Sequence, residues 1–595
     1  MNNLLPNRSD VNTKDTWATD DLYKNNQLFL EDLEVFKKHI DELGSYKGKL
    51  NDAHSLYDYF SLKNNIMLLA DRVSHYASLK SDEDTGNSVY QNYRAKVSDA
   101  FVLMSSATAF EVPELISVGM DRIEEMCKEL PELSFYRHAI DDELRLSKHT
   151  LDEQGEQLLA LSGEMADASS NTFSLLSNAD MAFEPFKVDD KEYHISQGSF
   201  VPLMQNRNRE VRKAAFTNYY KEYKQFSNTF ASLINGQMKM LSFYAKAGKY
   251  NSSLEASMMA NNVSTDIYYN LIEAVHQNIG LMHDYVKLRK KALGLSELHM
   301  YDIYVPLVKE SDRNIPYDTA KNDIIEALSV YGDDYLNVIK EAFDSRWIDK
   351  YENKGKRSGA YSAGSFVHPY ILLNYKDNLD SEFTLVHELG HAMHSYFSNK
   401  ANEPIYSQYV IFVAEVASTC NDALLMRYLL NKTTDKKERA VLINYFLEQF
   451  KGTLYRQTMF AEFELFMNEQ IASGESLTAD ILNEKYYELN KFYFGEDIVL
   501  DEEIALEWAR IPHFYYNYYV YQYATGFSAA IALSDMLLNG GEPAVRKYLN
   551  FLSSGCTKDP VSLLKDAGVD MSSAAPINTA LNLFRTLLKE FEELL

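Results

Sequence analysis

Apolar residues recur at three- and four-residue spacing along most of the chain, and proline is scarce. This spacing is typical of amphipathic helices. It predicts helices over residues 28–43 and 89–105 and a long helical stretch over 211–245. Residues 186–195 interrupt the pattern and predict a β-hairpin, with the central Asp-Asp pair as its turn. The chain is therefore expected to be mainly α-helical.

The length of the chain bears on its domain organisation. At 595 residues it exceeds one ordinary hydrophobic core, so we expect two lobes with a cleft between them. We see no internal repeat, low-complexity tract or flexible linker. The hairpin separates two long helical blocks, and we therefore predict an N-terminal helical domain over 1–195 and a second domain over 196–595. The alternative is that the hairpin decorates one continuous body.

The candidate chemistry is concentrated in one motif, in which His387 and His391 flank Glu388. Residues four apart lie on the same face of a helix, so both imidazoles can bind one metal ion. Glu388 projects beside them and can take a proton from a metal-activated water. The alternative is a core helix with two histidines whose hydrogen bonds are satisfied.

The surroundings of the motif favour a helix. Asp380 and Ser381 are predicted to cap its N-terminus, and an apolar pattern continues through Ala392, Met393 and Tyr396. A helical motif is what metal binding requires.

A zinc peptidase needs a third protein ligand and an open position for water. The metzincin pattern is excluded, because it requires glycine and histidine where this chain has His394 and Phe397. His394 also lies seven residues from His387, roughly 10.5 Å along a helix, and this distance favours another role over ligation of the same metal. Glu415 is the favoured ligand, as a lone carboxylate in the apolar run 409–419 on a second helix. The alternative for Glu415 is a salt bridge.

Other polar residues near the motif are assigned supporting roles. His394 is predicted to be an outer-shell or substrate-facing group. Asn421 and Asp422 follow Glu415 within two turns and are expected to orient the histidines.

The motif with its Gly-His-Ala-x-His extension (387–394) and the Glu415 segment resembles the thimet-oligopeptidase family of zinc metallopeptidases. The bacterial oligoendopeptidase F branch is the closer match, and the resemblance spans nearly the whole chain. No ligand and no base is substituted. The further segments that resemble this branch are residues 8–11, 15–17, 21–23, 356–362, 368–375 and 511–526.

The resemblance implies a fold. It is a two-lobed, mainly α-helical body with a deep substrate channel and a small β-sheet beside the zinc site. Residues 355–366 are rich in glycine and serine, and the apolar run 371–373 reads as a strand. The functional interpretation is an exposed strand edge that pairs with the backbone of an extended peptide. The alternative is an ordinary loop and hairpin.

The resemblance also implies further site residues. Six tyrosines lie within residues 515–523, and buried phenol groups need hydrogen-bond partners. By the family's pattern, Tyr521 donates to the oxyanion of the tetrahedral intermediate, while Tyr518 and His513 bind substrate or transition state. The pre-motif segment implies three further substrate-binding residues: Gly359, Ala360 and Tyr361.

Composition narrows the setting. The formal charge of −27 disfavours nucleic acid and anionic membranes as partners. Three cysteines, far apart and odd in number, are consistent with free thiols in a reducing cytoplasm. We find no basic-then-apolar signal sequence and no apolar run of the roughly 18–20 residues that span a bilayer. We therefore expect a cytoplasmic protein whose partners are short peptides, with an open oligomeric state.

These observations predict a zinc-dependent endopeptidase that cleaves internal bonds of short unfolded peptides, with one Zn²⁺ and Glu388 as general base. A dipeptidyl carboxypeptidase, which has the same metal ligands, is the alternative. A non-catalytic peptide-binding protein is disfavoured, because ligands, base and oxyanion donor are all present.

Overall fold

The structure is a computed structural model, and it describes residues 5–308 and 314–595. Helices make up most of it, as the apolar spacing predicts. The first helices in chain order are α1 (Asn26–Gly44), α2 (Ala53–Glu83), α3 (Ser88–Thr108), α4 (Glu111–Val118), α5 (Met120–Glu129), α6 (Arg137–Arg145), α7 (Glu153–Leu161), α8 (Gly163–Ala166), α9 (Ala168–Leu175), α10 (Gln197–Met204), α11 (Arg209–Gln225), α12 (Ser227–Ala247) and α13 (Ser253–Met259). The others are α14 (Asp266–Gln277), α15 (Ile279–Ala292), α16 (Tyr317–Ala327), α17 (Asp333–Asp344), α18 (Leu379–Ala401), α19 (Pro404–Ser407), α20 (Ile411–Lys432), α21 (Lys436–Gln449), α22 (Arg456–Ala472), α23 (Ala479–Phe494), α24 (Tyr521–Leu552), α25 (Pro560–Ala567) and α26 (Ala575–Leu594).

Short strands form three small sheets in the described chain. The strands are β1 (Phe186–Val188), β2 (Lys191–Tyr193), β3 (Leu298–His299), β4 (Ile348–Asp349), β5 (Tyr361–Gly364), β6 (Pro369–Leu372) and β7 (Ile498–Val499). Strands β1 and β2 pair antiparallel, and β3 pairs with β7 in parallel. The third sheet has the order β4-β6-β5, with β4 parallel and β5 antiparallel to the central β6.

Most of the predicted elements are confirmed. The helices expected over 28–43 and 89–105 are α1 and α3. The hairpin is β1–β2, and its turn residues Asp189 and Asp190 both have positive φ, at 51° and 61°, as a tight hairpin turn requires. The stretch over 211–245 is two helices, because the backbone at Phe226 leaves helical geometry with φ −107° and ψ 13°. No glycine or proline marks this break, so the apolar spacing did not indicate it.

The described chain forms two compact units, each assembled from separate segments. The first contains residues 5–148, 314–429 and 533–569, and the second contains the remainder. These units divide the chain at other places than residue 195. A sequence-contiguous domain boundary after the hairpin therefore stays a prediction.

In the first unit, α1, α2 and α3 pack together around an aromatic and aliphatic core that reaches β6. Helix α18 lies against the sheet and contacts both β5 and β6. Burial of apolar side chains is the main force that holds such layers together. The sheet therefore supports the helix that carries the candidate motif.

In the second unit, tyrosines are prominent in the core. Tyr219, Tyr220 and Tyr223 of α11, Tyr268 of α14 and Tyr285 of α15 are all fully buried. The Tyr268 hydroxyl donates to the carbonyl of Ala461 at 2.6 Å. Burying a phenol hydroxyl without a partner is costly, and this bond lets Tyr268 combine apolar packing with hydrogen bonding.

One helical stretch, Ser88–Val118, is long and apolar enough to cross a membrane by length and composition alone. We did not expect this stretch from the sequence, because charged residues stand near both of its ends. In the fold, its helix α3 packs against α1 and α2 of the first unit.

Candidate active site

Helix α18 carries the motif near its centre. Its N-cap is Asn378, whose side chain accepts a hydrogen bond from the Ser381 amide at 2.9 Å. The predicted caps Asp380 and Ser381 are wrong, because both lie inside the first turn. Asparagine caps as well as aspartate or serine, so the chain offered several equivalent starts. The helix then continues without interruption to Ala401.

The third predicted ligand lies on a second helix, α20, and meets both histidines. Glu415 Oε2 is 3.3 Å from His387 Nε2 and 3.4 Å from His391 Nε2. The two imidazole rings are nearly perpendicular, at 82°, with centroids 4.9 Å apart. One potential ligand atom from each of the three residues lies within 4.8 Å of the others. The structure therefore brings His387, His391 and Glu415 together, and we call these three residues the metal group.

The spacing within the metal group suits a tetrahedral ion. Metal–ligand bonds of about 2.0–2.1 Å at tetrahedral angles place neighbouring donor atoms about 3.3–3.4 Å apart. Both measured nitrogen–oxygen distances fall in this range. A salt bridge from Glu415 to lysine or arginine, the alternative from sequence, is not seen among the described residues. Two nitrogen donors and one carboxylate oxygen also form a donor set that zinc favours.

Glu388 lies beside the metal group and is 7% exposed. Its Oε2 is buried and has no hydrogen-bond partner among the described residues. Burial raises the pKa of Glu388, while His387 and His391 oppose this rise. An unpaired carboxylate oxygen with a raised pKa is suited to accepting a proton from water.

Two side chains orient the ligands of the metal group. Asp422 Oδ2 lies 2.8 Å from His387 Nδ1, which directs the other ring nitrogen, Nε2, towards Glu415. Ser418 Oγ donates to Glu415 Oε2 at 3.1 Å. Asn421 was expected to orient the histidines, but its observed partners are others. Its side chain accepts a hydrogen bond from the Tyr331 hydroxyl at 2.9 Å and donates to the carbonyl of Val386. Asn421 thus ties α20 to the backbone of α18.

Charges in this cluster compensate one another. Burial lowers the pKa of His387, but Asp422 and Glu415 outweigh burial and hold this pKa well above its ordinary value. Burial raises the pKa of Glu415, but hydrogen bonds from His387 and His391 outweigh it and depress this pKa. The carboxylates therefore favour positive charge between the two helices, as a cation site requires.

Gly390, inside the motif, permits the close crossing of α18 and α20. A Cβ at this position would lie 2.5 Å from Ser418 Cα and 2.8 Å from the carbonyl oxygen of Ala417. Either distance is too short for a side-chain carbon. Glycine weakens a helix interior relative to alanine, so its presence in α18 signals this contact. Sequence reasoning missed this role.

His394 lies on the core side of α18. It is 1% exposed and stacks on Tyr409, with ring centroids 3.7 Å apart and an interplanar angle of 7°. Burial lowers the pKa of His394 to about 3, so the ring is neutral at physiological pH. This position suits an outer-shell role better than contact with substrate. The predicted substrate contact stays a prediction.

The Gly/Ser-rich stretch supplies the edge strand of the sheet next to α18. The apolar run 371–373 belongs mostly to β6, which is central and fully buried. Strand β5, which includes Tyr361, lies at one edge of this sheet. Gly359 is exposed with φ 82°, and Ala360 is half-buried. The Tyr361 hydroxyl donates to Asp82 at 2.7 Å, so this residue offers mainly its backbone to a ligand.

The remaining predicted site residues, His513, Tyr518 and Tyr521, lie in the second unit. Tyr518 and Tyr521 are each 2% exposed, and both pack against Tyr268 with centroids 5.4 and 5.3 Å away. Burial raises the pKa of both phenols, so they are neutral hydrogen-bond donors. Burial lowers the pKa of His513, whose Nε2 lies 3.4 Å from the Tyr523 hydroxyl.

The tyrosine-rich segment is not one continuous helix. A short 3₁₀ turn ends at Tyr515, and α24 begins at Tyr521. Between them, Asn517 and Tyr518 have φ values of 54° and 53°. We call residues 516–520 the tyrosine turn.

Two imidazoles and a carboxylate that converge from two helices, with a buried glutamate beside them, define the site of a metallopeptidase. Comparison with family models agrees. Residues 202–583 match the model of peptidase family M3, and residues 114–183 match the model named Oligopeptidase F. The chain belongs to peptidase family M3, and the predicted relationship to oligoendopeptidase F is confirmed.

Individual relatives support this membership over the full length. The chain is 46% identical to oligopeptidase PepF of Bacillus subtilis, covering 100% of this chain and 89% of that protein. It is 38% identical to group B oligopeptidase PepB of Streptococcus agalactiae, with 99% of each chain covered. The crystal structure of oligoendopeptidase-F from Enterococcus faecium matches with a TM-score of 0.74 at 37% identity, covering 96% of this chain and 99% of that one.

Proposed function

We propose that this protein is a zinc-dependent endopeptidase that hydrolyses internal bonds of short unfolded peptides. The observation that carries the proposal is the metal group, whose nitrogen–oxygen distances of 3.3 and 3.4 Å suit a tetrahedral ion. Membership of peptidase family M3 and the names of the relatives support peptides as substrates.

The proposed metal is a single zinc ion held by His387, His391 and Glu415. The donor set of two imidazoles and one carboxylate supports zinc over calcium or magnesium, which prefer oxygen donors alone. When bound, such an ion acts as a Lewis acid that polarises a carbonyl and makes water more acidic. Asp422 keeps His387 in the tautomer that presents Nε2 for binding.

Glu388 is the proposed general base. It accepts a proton from the attacking water and then returns this proton to the nitrogen of the leaving amine. Both transfers need a carboxylate that is close to the reacting atoms and not engaged elsewhere. The unpaired, buried Oε2 of Glu388 supports this role.

Tyr521 is the proposed donor to the oxyanion, with Tyr518 and His513 as binding groups for substrate or transition state. Oxyanion stabilisation needs a donor that stays protonated throughout the reaction. Burial raises the pKa of Tyr521, which supports this assignment. A hydroxyl that is buried before substrate arrives also loses little hydration on binding.

Strand β5 is the proposed site for the peptide backbone. Its antiparallel partner β6 occupies one edge, and no second strand pairs with it in the described chain. An extended peptide that adds to such an edge gains main-chain hydrogen bonds without demands on its side chains. This mode suits an enzyme that accepts many short sequences. Gly359, Ala360 and the backbone of Tyr361 are the proposed contacts.

We also propose a reducing, cytoplasmic setting. All three cysteines are free thiols, two of them buried, in agreement with the expectation from their number. The charge of −27 supports the absence of nucleic acid among its partners.

The proposal is tested by mass-spectrometric mapping of cleavage in a set of short peptides with free and blocked termini. The protein is assayed as purified, with a chelator, and after zinc is restored. We expect internal cuts that tolerate blocked ends, disappear with the chelator and return with zinc.

Other outcomes would assign a different function. Cuts confined to a fixed distance from a free C-terminus would indicate a dipeptidyl carboxypeptidase. Peptide binding without any zinc-dependent cut would indicate a binding protein.

A further inference from the structure

The tyrosine turn adopts an unusual backbone. Asn517 and Tyr518 are consecutive, and both have positive φ. They lie in the left-handed backbone region, which residues other than glycine seldom occupy. Such conformations persist only where surrounding contacts hold them, and they are found preferentially at functional sites. The contacts that hold this turn therefore bear on how Tyr518 and Tyr521 are placed.

Side chains from three helices form hydrogen bonds with the backbone of the tyrosine turn and of the residue before it. Gln237 of α12 donates to the carbonyl of Tyr515 at 3.0 Å. Ser257 of α13 donates to the carbonyl of Asn517 at 2.9 Å. The Tyr518 amide itself donates to Oε1 of Glu464 on α22 at 2.5 Å. These bonds engage residues before, within and after the first left-handed position.

Glu464 differs from the other buried carboxylates of its unit. Glu507 is paired with Arg456 and Arg510, at 2.8 Å each, and Asp302 is paired with Arg212 at 2.6 Å. Glu464 is 0% exposed, and no lysine or arginine is paired with it among the described residues. A buried carboxyl group without a cation is expensive and calls for a specific reason.

The groups that face Glu464 are phenols and one amide. Tyr268 of α14 and Tyr518 lie within electrostatic range of its carboxyl group, and Tyr269 and Glu469 lie within the same range of Tyr518. Its Oε2 is buried with no hydrogen-bond partner among the described residues. Burial raises the pKa of Glu464 to about 8, so the group is a neutral carboxylic acid at pH 7. Glutamine therefore resembles its working form closely.

We propose that Glu464 is a positioning residue for the hydrolytic reaction. By accepting the Tyr518 amide, it holds the left-handed turn and so sets the direction of the Tyr518 and Tyr521 hydroxyls. Both rings rest on Tyr268, and α24 begins immediately after the turn, so rotation of Tyr518 displaces the start of that helix. The inference rests on the function proposed above, in which these hydroxyls act on the substrate.

The first test compares Glu464→Leu with Glu464→Gln in the zinc-loaded protein, using an internally quenched peptide. We expect Glu464→Leu to lower kcat about 10- to 100-fold with a smaller change in KM, because misplaced transition-state groups affect turnover. Glu464→Gln keeps the acceptor oxygen and is expected to retain kcat within about threefold. Equal damage by both changes, or an undiminished kcat in Glu464→Leu, would overturn the proposal.

The matched control is Glu462→Leu on the same helix. Glu462 contacts His276 at 2.7 Å and Tyr493 at 3.2 Å, and among the described residues no hydrogen bond or ion pair joins its side chain to the tyrosine turn. Its loss is expected to lower thermal stability while kcat stays within about threefold of the wild type. An equally reduced kcat in this control would show that any damage to α22 lowers activity, which contradicts a specific role for Glu464.

A double-mutant cycle identifies the route of the effect. If Glu464 acts through Tyr521, then adding Glu464→Leu to Tyr521→Phe should lower kcat by less than about threefold further. Fully multiplicative losses would contradict the proposal.

Ser257→Ala is a second variant, for use if Glu464→Leu does not fold. It removes the hydrogen bond to the carbonyl of Asn517 from a partly buried position. This variant is expected to lower kcat about three- to tenfold, and an unchanged kcat would contradict the proposal that contacts to the tyrosine turn position the catalytic tyrosines.

Hydrogen exchange separates this inference from the proposed function. Exchange of the peptide that covers residues 511–525 should be faster in Glu464→Leu than in the wild type, and unchanged in Glu464→Gln. This measurement needs no hydrolysis. If exchange is faster in Glu464→Leu but the wild-type protein cleaves no peptide, the positioning role of Glu464 at the tyrosine turn is retained and the proposed function is rejected. Unchanged exchange in Glu464→Leu would reject the positioning role, whatever the activity.

Discussion

The metal group and the tyrosine turn place their side chains in opposite ways. The metal group stands on two regular helices, α18 and α20, and the four-residue helical repeat aligns its histidines. The tyrosine turn has an irregular backbone, and residues far away in sequence hold it. Regular elements position ligands through local geometry, whereas an irregular turn depends on tertiary contacts. The two regions should therefore respond differently to substitution.

The largest effect is expected from Glu388→Gln, next to the metal group. The amide cannot accept a proton, so kcat should fall at least about a thousandfold while the fold and the metal content are kept. Steady-state kinetics together with zinc analysis by atomic absorption check this outcome. Substantial turnover in a variant that is replete with metal would remove Glu388 from its proposed role.

Tyr521→Phe tests the proposed hydrogen-bond donor to the oxyanion, which follows directly after the tyrosine turn. Loss of one oxyanion donor should lower kcat about a hundredfold with little change in KM. Zinc content should equal that of the wild type, because no ligand is altered. A change in KM alone, measured with the same peptide, would reassign Tyr521 to ground-state binding.

Gly390→Ala tests whether the metal group depends on the close crossing of α18 and α20. The added Cβ would lie 2.5 Å from Ser418 Cα, so α20 must shift and take Glu415 with it. We expect zinc affinity, measured by competition with a chelating dye, to fall about 10- to 100-fold.

Gly280→Ala in α15 is the matched control for that substitution. A Cβ there meets nothing within 4 Å, so helix propensity should stabilise the protein by up to about 1 kcal/mol. Zinc affinity in this control should be unchanged. If Gly390→Ala behaved in the same way as the control, the close crossing would have no role in metal binding.

The smallest catalytic effect, with a clear effect on stability, is expected from Glu464→Gln. The pKa of Glu464 is raised from 4.5 to about 8 in the folded state, so between these values the folded protein holds a proton that the unfolded chain has released. Stability should therefore decrease as pH rises through this window, by up to about 5 kcal/mol. Glutamine removes this contribution. Thermal unfolding from pH 5 to 9 should show a flatter pH dependence in the variant, and an unchanged profile would contradict a buried neutral Glu464.

The sequence predicted the metal group well because its geometry is local. The four-residue repeat places His387 and His391 on one face, and the lone charge of Glu415 in an apolar run marks it as special. The N-cap was misplaced because several capping residues stand close together before α18. The role of Gly390 was missed, although a glycine in a helix interior is itself a signal of close approach.

The tyrosine turn could not be predicted in the same way. The spacing of Tyr518 and Tyr521 fits a helix, and no glycine marks the left-handed positions at Asn517 and Tyr518. The turn is held by Gln237 and Glu464, which lie far from it in sequence. Tertiary contacts override local propensity here, and one sequence carries no record of them. The apolar run 371–373 indicated a strand, but apolar character indicates burial and not position in a sheet, so the sequence did not show which strand forms the edge.

The most direct test of the account is a zinc titration of the metal-depleted protein, with cleavage of a peptide blocked at both ends as the readout. We predict that internal cleavage rises linearly and saturates at one equivalent of zinc per chain, and that Glu415→Ala shows neither tight binding nor recovery. Full cleavage by the metal-free protein, or an unaltered titration in Glu415→Ala, would contradict the central claim that hydrolysis requires a zinc ion held by the metal group.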